Sequence, residues 1–243
     1  MLADQALEGI IPAAAYQQRE AMYCAVPVMD LTDEGGQRLD QLIYGEIFDL
    51  LHRCGERGWG RARRDGVIGW VQLDQLQSGT PLATRWVKAI KGRLPFNALV
   101  LDHAKDVDEA SLAPVGQFEN DLVAVAEAFL GCPYVLGGRT PQGTDCSGLV
   151  QQALYACGQH GPRRTKAQAR LGEAVQAAHI VRNDLALWLK ADSEWTGHSA
   201  LVVDDQSVIH ATGHHGKVVI EPLAEVETRM LAEGYQSAVF RRL

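Results

Sequence analysis

Cys146 follows an acidic residue, Asp145, and opens the run SGLVQQALYACG, where Leu149, Val150, Ala153, Leu154 and Cys157 recur at helical spacing before Gly158, a fitting C-terminal cap. A thiol attacks as its thiolate, with an unperturbed pKa of about 8.5. The positive end of a helix and a neighbouring imidazolium both lower that value. Cys146 gains the first if the helix begins at Ser147. His198 and His210 are the candidates for the second. HSALVV and SVIHA read as neighbouring strands joined by the turn DDQS, a hairpin that brings both rings to one end of a sheet. A Cys–His pair steadied by a third polar residue supplies nucleophile, base and orienter. A buried structural cysteine and core-satisfied or exposed histidines are the alternative uses of the same residues.

The elements that must hold these residues form two textures. Residues 24–76 are short β-like runs (EIFDLLHR, WGRARR, GVIGWVQL) broken at CGERG and RDG, as in a small barrel or sandwich. We expect a barrel over 1–80, a connector over 81–115 with two more strands and a charged tail, and a second domain over 116–243. That domain opens with FENDLVAVAEAFLG, a helix with Leu122, Val125, Ala126 and Phe129 on one face, closed by Gly131. A Gly/Pro-rich loop precedes Cys146, and the loop GPRRTKAQARLG follows its helix. Strand-like runs come next at LALWL, HSALVV, SVIHA, KVVIEPL and SAVFRRL. Helices first and an antiparallel sheet afterwards predict an α+β fold.

Composition narrows the function classes. Of 243 residues, 47% are hydrophobic and 22% charged, the balance of a globular chain. A net charge of −7 disfavours a nucleic-acid partner. No apolar run approaches the ~18 residues of a membrane span, and Asp4 and Glu8 stand where a secretory signal needs positive charge. Five cysteines with no CxxC pair suit a reducing compartment, so a cytoplasmic location is expected. Cys157 lies three turns from Cys146, ~16 Å away and beyond disulfide reach, so it reads as packing. His214 and His215, in TGHHGK, read as water-facing rather than as metal ligands. Trp188 and Trp195 flank a charged loop and read as structural.

The stretch GCPYVLGGRTPQGTDCSGLVQ resembles the signature of the NlpC/p60 family of cell-wall peptidases. Pro133-Tyr134, Gly137-Gly138, Asp145-Cys146-Ser147-Gly148, Arg163 with Gln168, Asp184-Leu185, His198 and Ile209-His210-Ala211 fall in the family's order. The front half, with YGE and DGVIGWV, resembles a bacterial SH3-like (SH3b) barrel. The resemblance implies a papain-like domain with Cys146 as nucleophile, His198 as base and His210 as orienter, using neither metal nor cofactor. It implies cleavage of the γ-D-glutamyl–L-diamino-acid bond of peptidoglycan stem peptides. Asp145 would bind the free amine of an N-terminal L-Ala, with Tyr134, Ser147 and the barrel's Glu46 as further substrate contacts. Five positions depart from the pattern: Leu136 for a Trp, Asn183 for a Gly, Ser199-Ala200 for the usual pair after the first His, and Val67 for a Tyr. A silent binder of peptidoglycan fragments, and an amidase or acyltransferase using the same triad, remain alternatives.

Overall fold

Alternation of apolar and polar residues builds most of the front half of this computed structural model, which describes residues 2–101, 107–191, 193 and 196–243. The chain divides into two units, Met1–Val115 and Gly116–Leu243. In the first, β1 (Leu2–Asp4) and β2 (Ala15–Gln17) pair in parallel. Seven strands then make one antiparallel sheet: β3 (Glu20–Cys24), β4 (Val28–Thr32), β5 (Arg38–Ile43), β6 (Ile47–Cys54), β7 (Arg57–Ala62), β8 (Ile68–Gln72) and β9 (Leu76–Ser78). Their spatial order is β5-β4-β8-β7-β6-β3-β9. Met29, Leu31, Leu42, Phe48, Leu50 and Val71 fill its core.

Residues 81–115 are more than the expected connector. They form a sheet of three strands, β10 (Ala83–Val87), β11 (Leu99–Leu101) and β12 (Leu112–Pro114). Val87, Ala98, Val100 and Leu112 bury a second core with Ile43 of β5. The two parts meet at the YGE turn. Gly45 has φ +83, and a Cβ there would stand 2.2 Å from the Leu99 carbonyl oxygen, so only glycine fits.

The second unit is α+β, as the sequence predicts. Asp121 caps α1 (Leu122–Glu127). A small hairpin, β13 (Arg139–Thr140) with β14 (Gly143–Thr144), leads into α2 (Cys146–Ala156), which is buried along its whole length. After α3 (Thr165–Gln168) come β15 (Glu173–Val175), β16 (Leu185–Leu189), β17 (Gly197–Val202), β18 (Ser207–Thr212), β19 (Lys217–Pro222), α4 (Leu223–Ala232) and β20 (Val239–Arg242). The six strands order as β15-β20-β16-β17-β18-β19. Helices α1 and α2 pack together and against β17 and β18. Val226 and Met230 of α4 join Ala186, Trp188, Ala200, Val202 and Val208 in one core cluster. Neither α3 nor α4 was expected from the sequence. Among the described residues, no helix is long and apolar enough to cross a membrane.

Candidate active site

Asp145 starts α2. Its backbone is extended, and its carboxylate accepts the Gly148 N–H at 2.7 Å, as N-cap residues do. The helix therefore begins at Cys146 itself, one residue earlier than Ser147. Gly148 is fixed by contact, since a Cβ there would sit 2.4 Å from the Gly138 carbonyl oxygen. This close approach ties the Gly137-Gly138 turn to the helix head, where Gly137 N–H also donates to Asp145 at 2.8 Å.

The sulfur of Cys146 rests on β17 at the residues flanking His198. Sγ lies 3.8 Å from the Gly197 carbonyl oxygen, and the N–H groups of Ser199 and Ser147 are directed at it. His198 Nε2 lies 2.6 Å from His210 Nδ1. His210 Nε2 lies 2.6 Å from a Glu221 oxygen. The strand register explains the line. His210 pairs with Val219, two residues before Glu221. Leu201 pairs with Ile209, so continuing that register sets His210 beside Ala200, two residues after His198. The three side chains thus form a diagonal across β17, β18 and β19, and diagonal neighbours lie within reach of long side chains. Trp188, paired with His198 on β16, packs its ring 5.6 Å from the imidazole.

Burial sets the protonation states. It pushes the Cys146 thiol up to about 12, with Asp145 adding to the rise and the Ser199 and Ser147 N–H groups opposing it. Burial first, then the cost of a second positive charge next to a protonated His210 and near Arg229, pushes His198 well below its usual value. Burial also lowers His210 to about 4, although Glu221 resists. Both groups therefore rest uncharged, a neutral thiol and a neutral imidazole, rather than with a preformed thiolate at the helix head.

Arg163 and Gln168 lock the helix head from the following loop. Arg163 donates to both Asp145 oxygens, at 2.9 and 2.7 Å, and to Ser147 Oγ at 2.9 Å. Gln168 donates to the carbonyls of Ser147 and Pro162, each at 2.9 Å. Ser199 Oγ donates to Gln168 Oε1 at 2.8 Å and meets Thr165 Oγ1 at 2.8 Å. The departure at Ser199 is therefore accommodated by a polar partner set. That at Asn183 is too: it holds φ +78 where glycine is usual, and its Oδ1 accepts the Val123 N–H of α1 at 2.9 Å.

The structure also places the expected substrate contacts. The Asp145 carboxylate, the expected amine anchor, is 3% exposed and is bonded by Arg163, Ser147, Gly137 and Gly148. Ser147 is buried in the same clamp. Glu46, the expected contact of the first unit, is 1% exposed, accepts the Ile43 N–H and pairs with Arg64 at 2.9 Å. Tyr134 stays near the sulfur: burial first, then charge on Cys146, raises its hydroxyl, so it is a neutral donor there. Tyr235, beyond α4, feels the same sulfur and was missed. His215 does not merely face water, since its Nε2 lies 3.1 Å from Glu221. Glu221 was missed as well. Its signal was a lone acid at an inward position of KVVIEPL, visible only once the register with SVIHA is known. Trp195 lies outside the described residues. Among the described residues no cluster could hold a metal ion.

Comparison with known proteins agrees with this geometry. A model of the NlpC/P60 family matches residues 131–235, and one of a bacterial dipeptidyl-peptidase SH3 domain matches residues 30–76. A γ-DL-glutamyl hydrolase of Bacillus subtilis is 31% identical over 114 residues, 46% of this chain and 28% of that protein. A γ-D-glutamyl-L-lysine dipeptidyl-peptidase of Bacillus cereus is 31% identical over 105 residues, 43% of this chain and 32% of that one. The match therefore spans less than a third of each Bacillus protein. A probable endopeptidase of Haemophilus influenzae is 30% identical over 118 residues, 46% of this chain and 73% of its own length. Among solved structures, an NlpC/P60 family protein of Bacillus cereus shares the fold, with TM-score 0.71 over 91% of this chain and 99% of that one at 18% identity. With a cysteine at a helix head against a histidine strand, a family model over residues 131–235 and a relative 30% identical over most of its own length, the chain belongs to the NlpC/P60 family of cysteine peptidases and carries a bacterial SH3 domain ahead of its peptidase domain.

Proposed function

We propose that the chain hydrolyses the amide between the γ-carboxyl of D-glutamate and an L-diamino acid in peptidoglycan stem peptides. The observation that carries the chemistry is the seat of the Cys146 sulfur on the backbone either side of His198, whose ring continues into His210. The names of the two Bacillus relatives support the γ-glutamyl part. In this reading Cys146 Sγ bonds to the γ-carbonyl carbon while its proton passes to His198. The C–N bond then breaks, and the same proton leaves on the diamino-acid amine. Water, deprotonated by His198, hydrolyses the thioester, and the proton returns to sulfur. The Cys146 N–H at the start of α2 and the neutral Tyr134 hydroxyl are the donors available to the oxyanion, each of a kind whose loss costs ~10²–10³ in rate.

Incubation with L-Ala-γ-D-Glu-meso-diaminopimelate and with its N-acetylated form tests the reading. Release of diaminopimelate, abolished by Cys146→Ala, is the expected result. Cleavage of the free peptide alone would support recognition of the N-terminal amine, with Asp145 as its expected anchor, and equal cleavage of both would remove that role. If neither peptide is cleaved while Cys146 alkylates stoichiometrically, the hydrolase reading falls and a binding protein remains.

A further inference from the structure

We propose that Glu221 is a positioning residue that sets the tautomers of His210 and His198, leaving Nδ1 of His198 as the base. The inference rests on the cysteine-peptidase reading and extends its relay by one member. Glu221 stands on edge strand β19 with four donors on two oxygens. Arg229 of α4 donates at 3.0 and 2.9 Å. His215, in the turn before β19, reaches the first oxygen at 3.1 Å, and His210 the second at 2.6 Å.

The assignment follows by elimination. Burial pushes the Glu221 carboxyl up, but the bonds from Arg229, His210 and His215 hold it at about 2, so it is ionised at any working pH. An ionised carboxylate only accepts. His210 Nε2 must therefore carry a proton. Burial keeps this ring neutral near neutral pH, so its Nδ1 is bare and also accepts. His198 Nε2, facing that atom at 2.6 Å, must then be the protonated nitrogen of its ring. His198 Nδ1 is left as that ring's basic nitrogen. When His198 takes the thiol proton it becomes an imidazolium, still donating through Nε2, and no proton moves on to His210 or Glu221. The charged and titratable groups facing this relay are Glu221, Arg229 and His215; Cys146 and Asp145 face one another at the helix head.

Glu221→Gln is the test, because glutamine keeps the shape and loses one acceptor. Arg229 and His215 claim its oxygen, so the amide NH₂ turns to His210 Nε2 and reverses both tautomers. Turnover should fall about 10²-fold in kcat with KM within threefold, by analogy with wrong-tautomer variants of other triads. The carboxylate charge raises both imidazoles, so its loss should also move the acid limb of kcat/KM to lower pH, which a purely structural defect would not do. Glu221→Asp, which keeps an acceptor-only anion, should recover most of kcat. Nitrogen-15 spectra of the full chain should show protons on Nε2 of both rings in the wild type and on Nδ1 in Glu221→Gln. That readout needs no substrate, so it stands even if the wild type cleaves neither γ-glutamyl peptide. A proton on His198 Nδ1 in the wild type, or full kcat with an unmoved acid limb in Glu221→Gln, overturns the proposal.

Discussion

Removing Arg163 tests whether the helix head is held by a matched buried charge. In Arg163→Met the side chain keeps much of its length and loses four hydrogen bonds, to both Asp145 oxygens, Ser147 Oγ and the Gly138 carbonyl. Both partners are almost wholly out of water. Breaking such a pair from one side costs about 3–5 kcal/mol, since the surviving charge stays buried. That is a large part of the ~5–15 kcal/mol that holds a domain together. Burial alone would raise the Asp145 carboxyl; the charge and bonds of Arg163, with the Gly148 and Gly137 N–H groups, pull it below its ordinary value. In the wild type the depressed folded pKa adds stability above the unfolded value of about 3.9, and that stability is lost as pH falls through the folded pKa. In the variant burial wins, the folded pKa lies above the unfolded one, and protonation relieves the penalty as pH falls. Hydrogen exchange at the α2 amides, followed from pH 7 to 5 with intrinsic exchange rates corrected, reads this unit alone. Protection should fall by about 3–5 kcal/mol at pH 7, with the gap to wild type narrowing at pH 5. Adding Asp145→Asn, which keeps an oxygen for the Gly148 N–H, should recover part of the loss. A penalty below ~1 kcal/mol, or one equal at both pH values, would refute the buried-pair account.

Two further outcomes follow from the site. Because burial holds the Cys146 thiol near 12 and His198 below its usual value, the rate of iodoacetamide reaction at Cys146 should climb about tenfold per pH unit from 6 to 9; a flat rate would show a preformed ion pair. Asn183 tolerates its φ of +78 and also caps α1, so Asn183→Ala should cost about 1–2 kcal/mol in chemical denaturation, whereas Asn183→Gly loses only the cap and should cost about half as much. Equal losses would remove the backbone half of that explanation.

The strands of the catalytic unit were legible because LALWL, HSALVV, SVIHA and KVVIEP are compact apolar runs between turn residues, and each is a strand in the structure. Helix α4 was not, since only Val226 and Met230 are buried along it, too narrow a stripe to stand out beside the preceding strand. The four-residue α3 is too short for any periodicity to show. The strands of 81–115 were undercounted because their core is shared with Ile43 and Tyr44, far back in the chain. Cys146, His198 and His210 could be singled out by type. Glu221 could not, because its role depends on cross-strand register, and a strand-end glutamate in isolation reads as solvated.

An acid directly before a nucleophilic thiol looks costly, since its charge opposes thiolate formation, and in this fold it does raise the Cys146 thiol. The cost follows from geometry. A carboxylate at the N-cap is what starts α2 at the cysteine, and its second oxygen holds the Gly137 turn against the helix. Arg163 makes the arrangement workable: it neutralises the carboxylate and opposes the rise in the thiol. The acid beside the sulfur, the arginine eighteen residues on and the glutamine after it are therefore one device. It fixes the position of the sulfur at the head of α2, and in the proposed mechanism the deprotonation of that sulfur falls to His198, oriented by the His210–Glu221 line, at the moment of attack.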